Sequence, residues 1–301
     1  MRFLFLPPQI PYPPQKGTAM RNWGLISGLA ERHDVTLLSF LGLGQSAELA
    51  PVLTRTCRVG IVEPPRRTLG HRLRDVLFTA KPDMALRLAS QAYQHRLKGW
   101  LKRETFDVVH VEGIELAPYL PILTSAQSRP LIVFDDHNCE YLLQKRTFLT
   151  DLPAPTRWPG AAYSFVQWLR LRRYEAQVCR RADRVLAVSE QDGAALRRLV
   201  SDLKVDVVPN GIDTRLYRPG ISSAHAPSLI SQNTLVFTGT MDFRPNVDAV
   251  LWFAHHVLPR VQAQVPDVHF FVVGQRPHRR LSGLGNNSAV TLTGWVEDPR
   301  P

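Results

Sequence analysis

The chain has 301 residues, 44% of them hydrophobic and 21% charged, which is typical of a globular protein large enough for two domains. No apolar run approaches the ~20 residues of a membrane-spanning helix, and Pro7 and Pro8 end the first apolar run too early for a secretion signal. Three widely spaced cysteines without a CxxC pair argue against a disulfide framework or a zinc ribbon. We therefore expect a cytoplasmic protein.

The net charge of +11 predicts an anionic partner. Its excess is clustered in residues 66–74 and 170–184. Nucleic acid, an anionic membrane surface and a phosphorylated substrate are all candidate partners, and a solvated arginine-rich helix face is the alternative. Because the chain lacks zinc-finger spacing, an RNP strand and a glycine-rich tail, we expect no nucleic-acid partner.

In chain order, short apolar runs alternate with helical patterns. The runs predict strands at 2–6, 34–40, 59–62, 106–111, 131–134, 184–188 and 205–208. The helical patterns predict helices at 18–31, 82–103, 160–182 and 189–200, the last capped by Ser189. Buried strands that alternate with helices indicate an α/β fold with a parallel sheet and right-handed crossovers.

Residues 218–233 are rich in Pro, Ser, Ala and Gly and predict a linker between an N-terminal domain, 1–217, and a second domain, 234–301. The second domain shows strands at 234–239, 267–274 and 289–295 and a helix at 246–264. A doubly wound domain usually has about five or six strands. We therefore expect this Rossmann-like domain to be incomplete, and the chain to be a fragment or truncated product with poor activity alone.

Ligands of open parallel sheets bind beyond the carboxyl ends of the strands, so the segments that follow the strands are informative. The first strand is followed by a proline-rich loop that ends in Lys16, Gly17 and Thr18, where a helix begins. A glycine and free N–H groups at a helix start favour an anion, and Lys16 adds positive charge. A plain turn is the alternative interpretation.

The strand at 131–134 runs directly into Asp135, Asp136, His137 and Asn138. One of the two aspartates could cap a helix that begins near Cys139, but capping does not account for all four polar residues. A metal site would need a second His/Asp/Glu cluster, and none is visible in the sequence. At this stage His137 is equally consistent with a structural and a functional role.

Several segments together resemble one known family. They are HNCEY (137–141), RADRVLAVSEQD (181–192), VDVVPNGID (205–213), VFTGTMDFRPNVDAV (236–250), HFFVVGQRP (269–277) and VTLTGWV (290–296). In this order they resemble the retaining glycosyltransferases of family 4, also called group 1, which have the GT-B fold of two Rossmann-like domains. The resemblance implies a nucleotide-sugar donor, a glycan or lipid-linked acceptor, reaction in the cleft, and no metal or other cofactor.

The resemblance also implies residue roles. His137 matches the histidine close to the transferred sugar. The matches on the donor side are Gly17, Asn210, Gly211, Gly239, Thr240, Arg244, Gly274 and Val296, and those on the acceptor side are Lys16, Arg21, Asn138 and Glu140. Many family members carry an arginine directly after the glycine at 239 and a lysine soon after, where this chain has Thr240 and Asn246. Arg244 is the candidate to replace these cations.

The leading hypothesis is a glycosyltransferase of cell-surface polysaccharide or lipid-linked glycan assembly, with its basic helices resting peripherally on the anionic inner face of the cell membrane. The alternative is a non-catalytic binding or interaction module derived from such an enzyme. A hydride-transferring Rossmann enzyme is disfavoured, because no G-x-G-x-x-G follows the first strand.

Overall fold

The computed structural model describes residues 1–14, 17–42, 45, 48–215 and 233–296. The chain divides into two compact units, Met1–Ile212 and Asp213–Pro301. The predicted linker, 218–233, lies outside the described residues except for Asn233. In the described ranges, no helix combines the length and the apolar character that crossing a bilayer requires.

The first unit is built on a seven-stranded parallel sheet, as predicted. Its strands are β1 Arg2–Leu6, β2 Asp34–Phe40, β3 Arg58–Val62, β4 Val108–Glu112, β5 Leu131–Asp136, β6 Arg184–Ala187 and β7 Val205–Val207. The strand order is β3-β2-β1-β4-β5-β6-β7, so the direction of winding reverses between β1 and β4. Open α/β sheets bind their ligands at such a switch point.

Helices cover both faces of this sheet. They are α1 Gly17–Ala30, α2 Pro51–Thr56, α3 Leu69–Phe78, α4 Asp83–Arg87, α5 Gln91–Arg103, α6 Leu120–Thr124, α7 Glu140–Asp151, α8 Trp158–Arg181 and α9 Glu190–Leu199. The Ser189 hydroxyl caps α9 by accepting from the Asp192 N–H, as predicted. The single helix predicted at 82–103 is wrong. The chain breaks there because Ser90 caps a new helix, α5.

Alternate side chains of the central strand enter different cores. Leu4 and Leu6 belong to the larger hydrophobic cluster and Phe5 to the smaller one, and none of the three is exposed. Successive residues of a strand point to opposite faces, so a strand that is apolar throughout must be buried on both. Because both faces of the sheet are apolar, we expect polar side chains at the carboxyl ends of the strands.

The second unit has a three-stranded parallel sheet in its described part, ordered β10-β9-β8. Its elements are β8 Thr234–Thr238, α10 Arg244–Trp252, α11 Leu258–Gln262, β9 His269–Val273 and β10 Val290–Gly294. A π-helical turn, Phe253–Val257, interrupts the helix predicted at 246–264. Pro259 has no N–H to donate, and this loss of a regular helix bond accounts for the irregularity just before it.

Candidate active site

The carboxyl ends of β4 and β5 form the centre of a buried polar cluster in the first unit. Glu112 pairs with Asp135 in the register of the two strands, which places both carboxylates at the same edge of the sheet. Arg21 of α1 donates to Asp135 from Nε at 3.0 Å and from Nη2 at 2.8 Å. Its Nη1 donates to the Val208 carbonyl at 2.7 Å and to the Asn210 side chain at 3.3 Å. Arg21 thus joins β5 to the end of β7.

Glu112 is fully buried and faces two histidines. The Nε2 atom of His110 lies 2.9 Å from Glu112 Oε1 and 3.3 Å from Asp135 Oδ2. His137 Nε2 hydrogen-bonds the other oxygen of Glu112. With its amide nitrogen turned toward the acid, Asn22 also donates to Glu112 Oε2, at 2.9 Å. The polar groups that follow β5 are therefore held by β4 and α1.

These contacts set the charge of the cluster. Burial opposes ionisation of Glu112, but His110 and His137 outweigh it and lower the Glu112 pKa to about 2. Burial would also lower the His110 pKa, but the Glu112 and Asp135 carboxylates raise it to about 9. Partial burial would lower the His137 pKa, but its hydrogen bond to Glu112 raises this pKa above the ordinary value. At neutral pH His110 and Glu112 are therefore oppositely charged.

The hydrogen bond to Glu112 fixes how His137 can meet a ligand. The bond uses Nε2, so Nδ1 is the ring nitrogen that remains for a ligand. The His137 side chain is 15% exposed, whereas Glu112 behind it is fully buried. The imidazole is therefore the accessible tip of a buried pair.

The prediction that Asp135 or Asp136 caps the next helix is wrong. The N-cap of α7 is Cys139, which makes no capping bond, and both aspartates belong to β5. The carboxylate of Glu175, from α8, instead accepts the Glu140 N–H at 2.8 Å and the Tyr141 N–H at 2.9 Å. A carboxylate at these two orphan N–H groups stabilises the helix start across a gap of 35 residues.

A second group of acids surrounds this cap. Burial and the nearby Glu175 raise the pKa of Asp136 well above its ordinary range and so favour its neutral form. Burial also raises the Glu175 pKa to about 7. Glu140 is partly exposed, and burial together with the Glu115 charge raises its pKa to about 8. Glu140 therefore carries a proton at neutral pH and can donate a hydrogen bond as well as accept one.

The remaining predicted residues of the first unit differ in exposure. Gly17 is the first residue of α1, and a Cβ built there meets nothing within 4 Å, so its backbone is open to a ligand. Asn138, Asn210 and Gly211 are exposed. Arg21, predicted to bind acceptor, is buried and engaged with Asp135 and Asn210, so it braces the site. Lys16 lies outside the described residues.

In the second unit the predicted glycines meet at the ends of the strands. A Cβ on Gly274 would lie 1.7 Å from the Gly239 carbonyl oxygen, so only glycine permits this approach. The Gly239 N–H donates to Val273 at 3.0 Å, and the Gly274 N–H donates to Gly294 at 3.0 Å. The carboxyl ends of β8, β9 and β10 thus form one continuous edge.

The polar residues after β8 are bound locally. Asn246 Nδ2 donates to the Thr240 carbonyl at 3.0 Å. Arg244 opens α10, and its Nε lies 3.5 Å from Asp248 Oδ2. Val296 is partly exposed just beyond β10. The side chain of Asn246, at the approximate place of the family lysine, therefore fixes the loop that carries Thr240.

Comparison with protein-family models gives two matches. The Glycosyl transferase 4-like domain matches residues 16–211, which is more than half of the chain. The chain belongs to this glycosyl transferase family. A second model, Glycosyl transferases group 1, matches residues 232–301 of this chain. None of the proteins of curated function matches it.

Solved structures show the same fold as this glycosyltransferase. The apo structure of OtsA and a structure described as trehalose-6-phosphate from E. coli bound with UDP-2-fluoro glucose each have TM-score 0.59 and 12% identity, over 100% of this chain and 75% of theirs. A structure of trehalose-6-phosphate synthase, described in terms of enzymatic glycosyltransfer with retention, has TM-score 0.57 and 12% identity. The match covers 100% of this chain and 74% of that one. Such low identity shows the fold alone, and the fold is GT-B.

No second His/Asp/Glu cluster was visible in the sequence, but folding brings two groups of possible metal ligands together in the described part of the glycosyltransferase. His110, Glu112 and Asp135 bring their ligand atoms within 4.8 Å of one another, and so do Asp136, Cys139 and Glu175. In the first group Arg21 already neutralises Asp135, and His110 lies against both acids. In the second group Glu175 caps α7. Protein cations thus occupy the acids of the first group and N–H groups occupy Glu175 of the second, and a metal-free site stays a prediction.

His110 and Glu112 were missed as site residues by the sequence analysis. Only residues that follow a predicted strand were considered as candidates, and Glu112, directly after the predicted strand 106–111, was overlooked. The signal was present, because His110 and Glu112 are the polar residues of an otherwise apolar stretch, VVHVE (108–112). Applying the same rule after the predicted strand, 106–111, finds Glu112, whereas His110 lies within that strand.

Proposed function

We propose that this glycosyltransferase moves a sugar from a nucleotide-sugar donor to a glycan or lipid-linked acceptor, with retention of anomeric configuration, in cell-surface polysaccharide assembly at the inner face of the cell membrane. The observation that carries the proposal is the His137–Glu112 pair at the carboxyl edge of the family-matched first unit. The retention named for the trehalose-6-phosphate synthase of the same fold supports the stereochemistry.

The charges of the pair suit this chemistry. As the bond from the anomeric carbon to the diphosphate breaks, positive charge builds on the sugar ring and negative charge on the leaving group. His137 bound to Glu112 is neutral overall even when the imidazole is protonated, so the pair can lie beside a cationic ring without net repulsion. The Nδ1 atom then holds the sugar by a hydrogen bond and fixes its position.

Other residues receive roles from the family resemblance. It assigns the backbone at Gly17 and, in the second unit, Gly239, Thr240 and the cation Arg244 to the donor diphosphate. Gly274 and Val296 lie by the nucleotide base, and Asn210 and Gly211 lead toward the donor. Asn138 and Glu140 face the acceptor, with the Glu140 pKa of about 8 allowing its carboxyl group to donate to an acceptor hydroxyl. No metal takes part.

A substitution at His137 tests the proposal. The full chain is incubated with several nucleotide sugars, and donor turnover is measured with and without candidate acceptors. His137→Ala should lower turnover about 100-fold or more, because a preorganised group at the reacting centre is lost. The control is His256→Ala, at an exposed histidine of the second unit that has no assigned role, which should leave turnover within about twofold of wild type.

Two results count against the proposal. Near-normal turnover in His137→Ala contradicts the role of the imidazole. Donor binding without turnover in the wild-type chain favours the alternative, a non-catalytic binding module. This alternative is supported by Thr240 and Asn246, which stand where many family members have an arginine and a lysine that bind the diphosphate.

A further inference from the structure

Helix α3 carries an apolar stripe on the surface of the first unit. Leu69, Leu73, Leu77 and Phe78 are 81%, 62%, 66% and 80% exposed, and no residue of this helix is buried. The three leucines are four residues apart, so they lie on one side of the helix. Scattered exposed leucines are ordinary, but a row of large side chains along one helix marks an interaction surface.

Polar contacts from α8 and from the segment before α3 hold this helix in place. Arg170 of α8 donates from Nη2 to the Val76 carbonyl at 2.6 Å and from Nη1 to the Asp75 carbonyl at 3.4 Å. Arg67 Nη2 lies 2.9 Å from Asp75 Oδ2, and the Thr68 hydroxyl caps the first turn. Asp75 and Val76 are the less exposed residues of the helix, whereas Leu69, Leu73 and Leu77 are each more than 60% exposed. The leucines are therefore presented to the outside by a formed and anchored helix.

The charge around the stripe is strongly positive. Residues 64–81 contain five Lys or Arg residues and one acid, Asp75, which is paired with Arg67. Arg66, Arg74 and Lys81 are exposed beside the stripe. An apolar row flanked by cations is the pattern of helices that lie in a membrane interface.

We propose that α3 is an interfacial anchor for an anionic lipid bilayer. Its three leucines and Phe78 enter the acyl boundary, and the flanking cations contact lipid phosphates. A second copy of this chain is the competing occupant, but it would bring the same positive charge to the contact, whereas an anionic bilayer neutralises it. The inference does not rest on sugar transfer, so its test measures membrane binding without a donor.

The test uses co-sedimentation of the full chain with vesicles. Equimolar phosphatidylglycerol and phosphatidylcholine vesicles are compared with pure phosphatidylcholine, at low and high salt. We expect binding to the anionic vesicles that weakens with salt. The double substitution Leu73→Ser/Leu77→Ser should lower the partition coefficient about tenfold or more, because it removes two inserted apolar side chains. The control Val52→Ser/Val236→Ser, at exposed apolar residues outside the stripe, should change it by about twofold at most.

A site-specific label gives a second readout. The three native cysteines are buried, so Leu73→Cys can be labelled selectively with an environment-sensitive fluorophore. Its emission should shift to the blue on addition of anionic vesicles. Circular dichroism confirms that each variant is folded.

The proposal is overturned if the wild-type chain does not bind anionic vesicles, or if the double variant binds them as well as wild type. It is also overturned if the chain is a dimer that the double variant dissociates and no vesicle binding is seen. That last result assigns the stripe to a second copy.

Discussion

Replacing Glu112 by glutamine removes the buried charge that His110 and His137 share while keeping the size of the side chain. At the 2.9 Å separation of His110 Nε2 and Glu112 Oε1, an effective dielectric constant of 20 gives an attraction of about 6 kcal/mol. The desolvation cost of the pair offsets part of it. Removing one partner of a buried pair typically costs about 3–5 kcal/mol, and we expect Glu112→Gln to lower the free energy of unfolding by this amount.

The substitution should also change the histidines themselves. Without the Glu112 charge, burial becomes the dominant influence on His137, so its pKa should fall below that of the wild-type residue. Urea unfolding at pH 7, followed by circular dichroism, measures the stability. Titration of the imidazole resonances by NMR measures the pKa of each histidine in the folded chain.

The matched control is Glu104→Gln. Glu104 pairs with Arg58 at 2.6 Å, a shorter distance than in the buried pair, but Arg58 is largely exposed. Solvent screens such a pair, so its loss should cost at most about 1 kcal/mol. If Glu112→Gln costs no more than the control and leaves the His137 pKa unchanged, the assignment of Glu112 as the charge that holds both histidines is refuted.

Two further predictions concern packing and pH. Gly274→Ala should destabilise the second unit by about 3 kcal/mol, because its Cβ would overlap the Gly239 carbonyl, whereas Gly283→Ala, in open space, should be nearly neutral; thermal unfolding distinguishes them. The pKa of His110 is raised from 6.5 to about 9, so its contribution to stability is complete below pH 6.5 and is lost as the pH rises through 9. The stability difference between wild type and His110→Asn should shrink by about 3 kcal/mol across that window, and a constant difference would contradict the raised pKa.

Local patterns were sufficient for the sheet but not for every helix. The strands near 2–6, 34–40 and 131–134 were found because residues buried on both faces of a parallel sheet are apolar throughout. Helix α3 was not predicted, although Leu69, Leu73 and Leu77 recur at helical spacing, and the sequence does not show that these leucines are exposed. Its role is visible only when the exposure of each side chain is known.

The candidate site divides in the same way. The sequence marked His137 because a costly polar group follows a buried strand, and the resemblance gave it a role. It could not show that Glu112 lies behind the imidazole, because the register of β4 against β5 brings together residues that are distant in the chain. The capping of α7 by Glu175 was hidden for the same reason.

The amino-acid sequence by itself determined the alternation of strands and helices and the edge of the first sheet where polar residues collect, because these follow from periodicity. The GT-B class came from the resemblance of short motifs to a known family. Only the tertiary structure decided the ionisation of His110, Glu112 and Asp136, since a pKa depends on burial and on charges contributed by other strands and helices. It also decided that Arg21 braces the site from within, because the partners of its guanidinium come from β5 and from the end of β7.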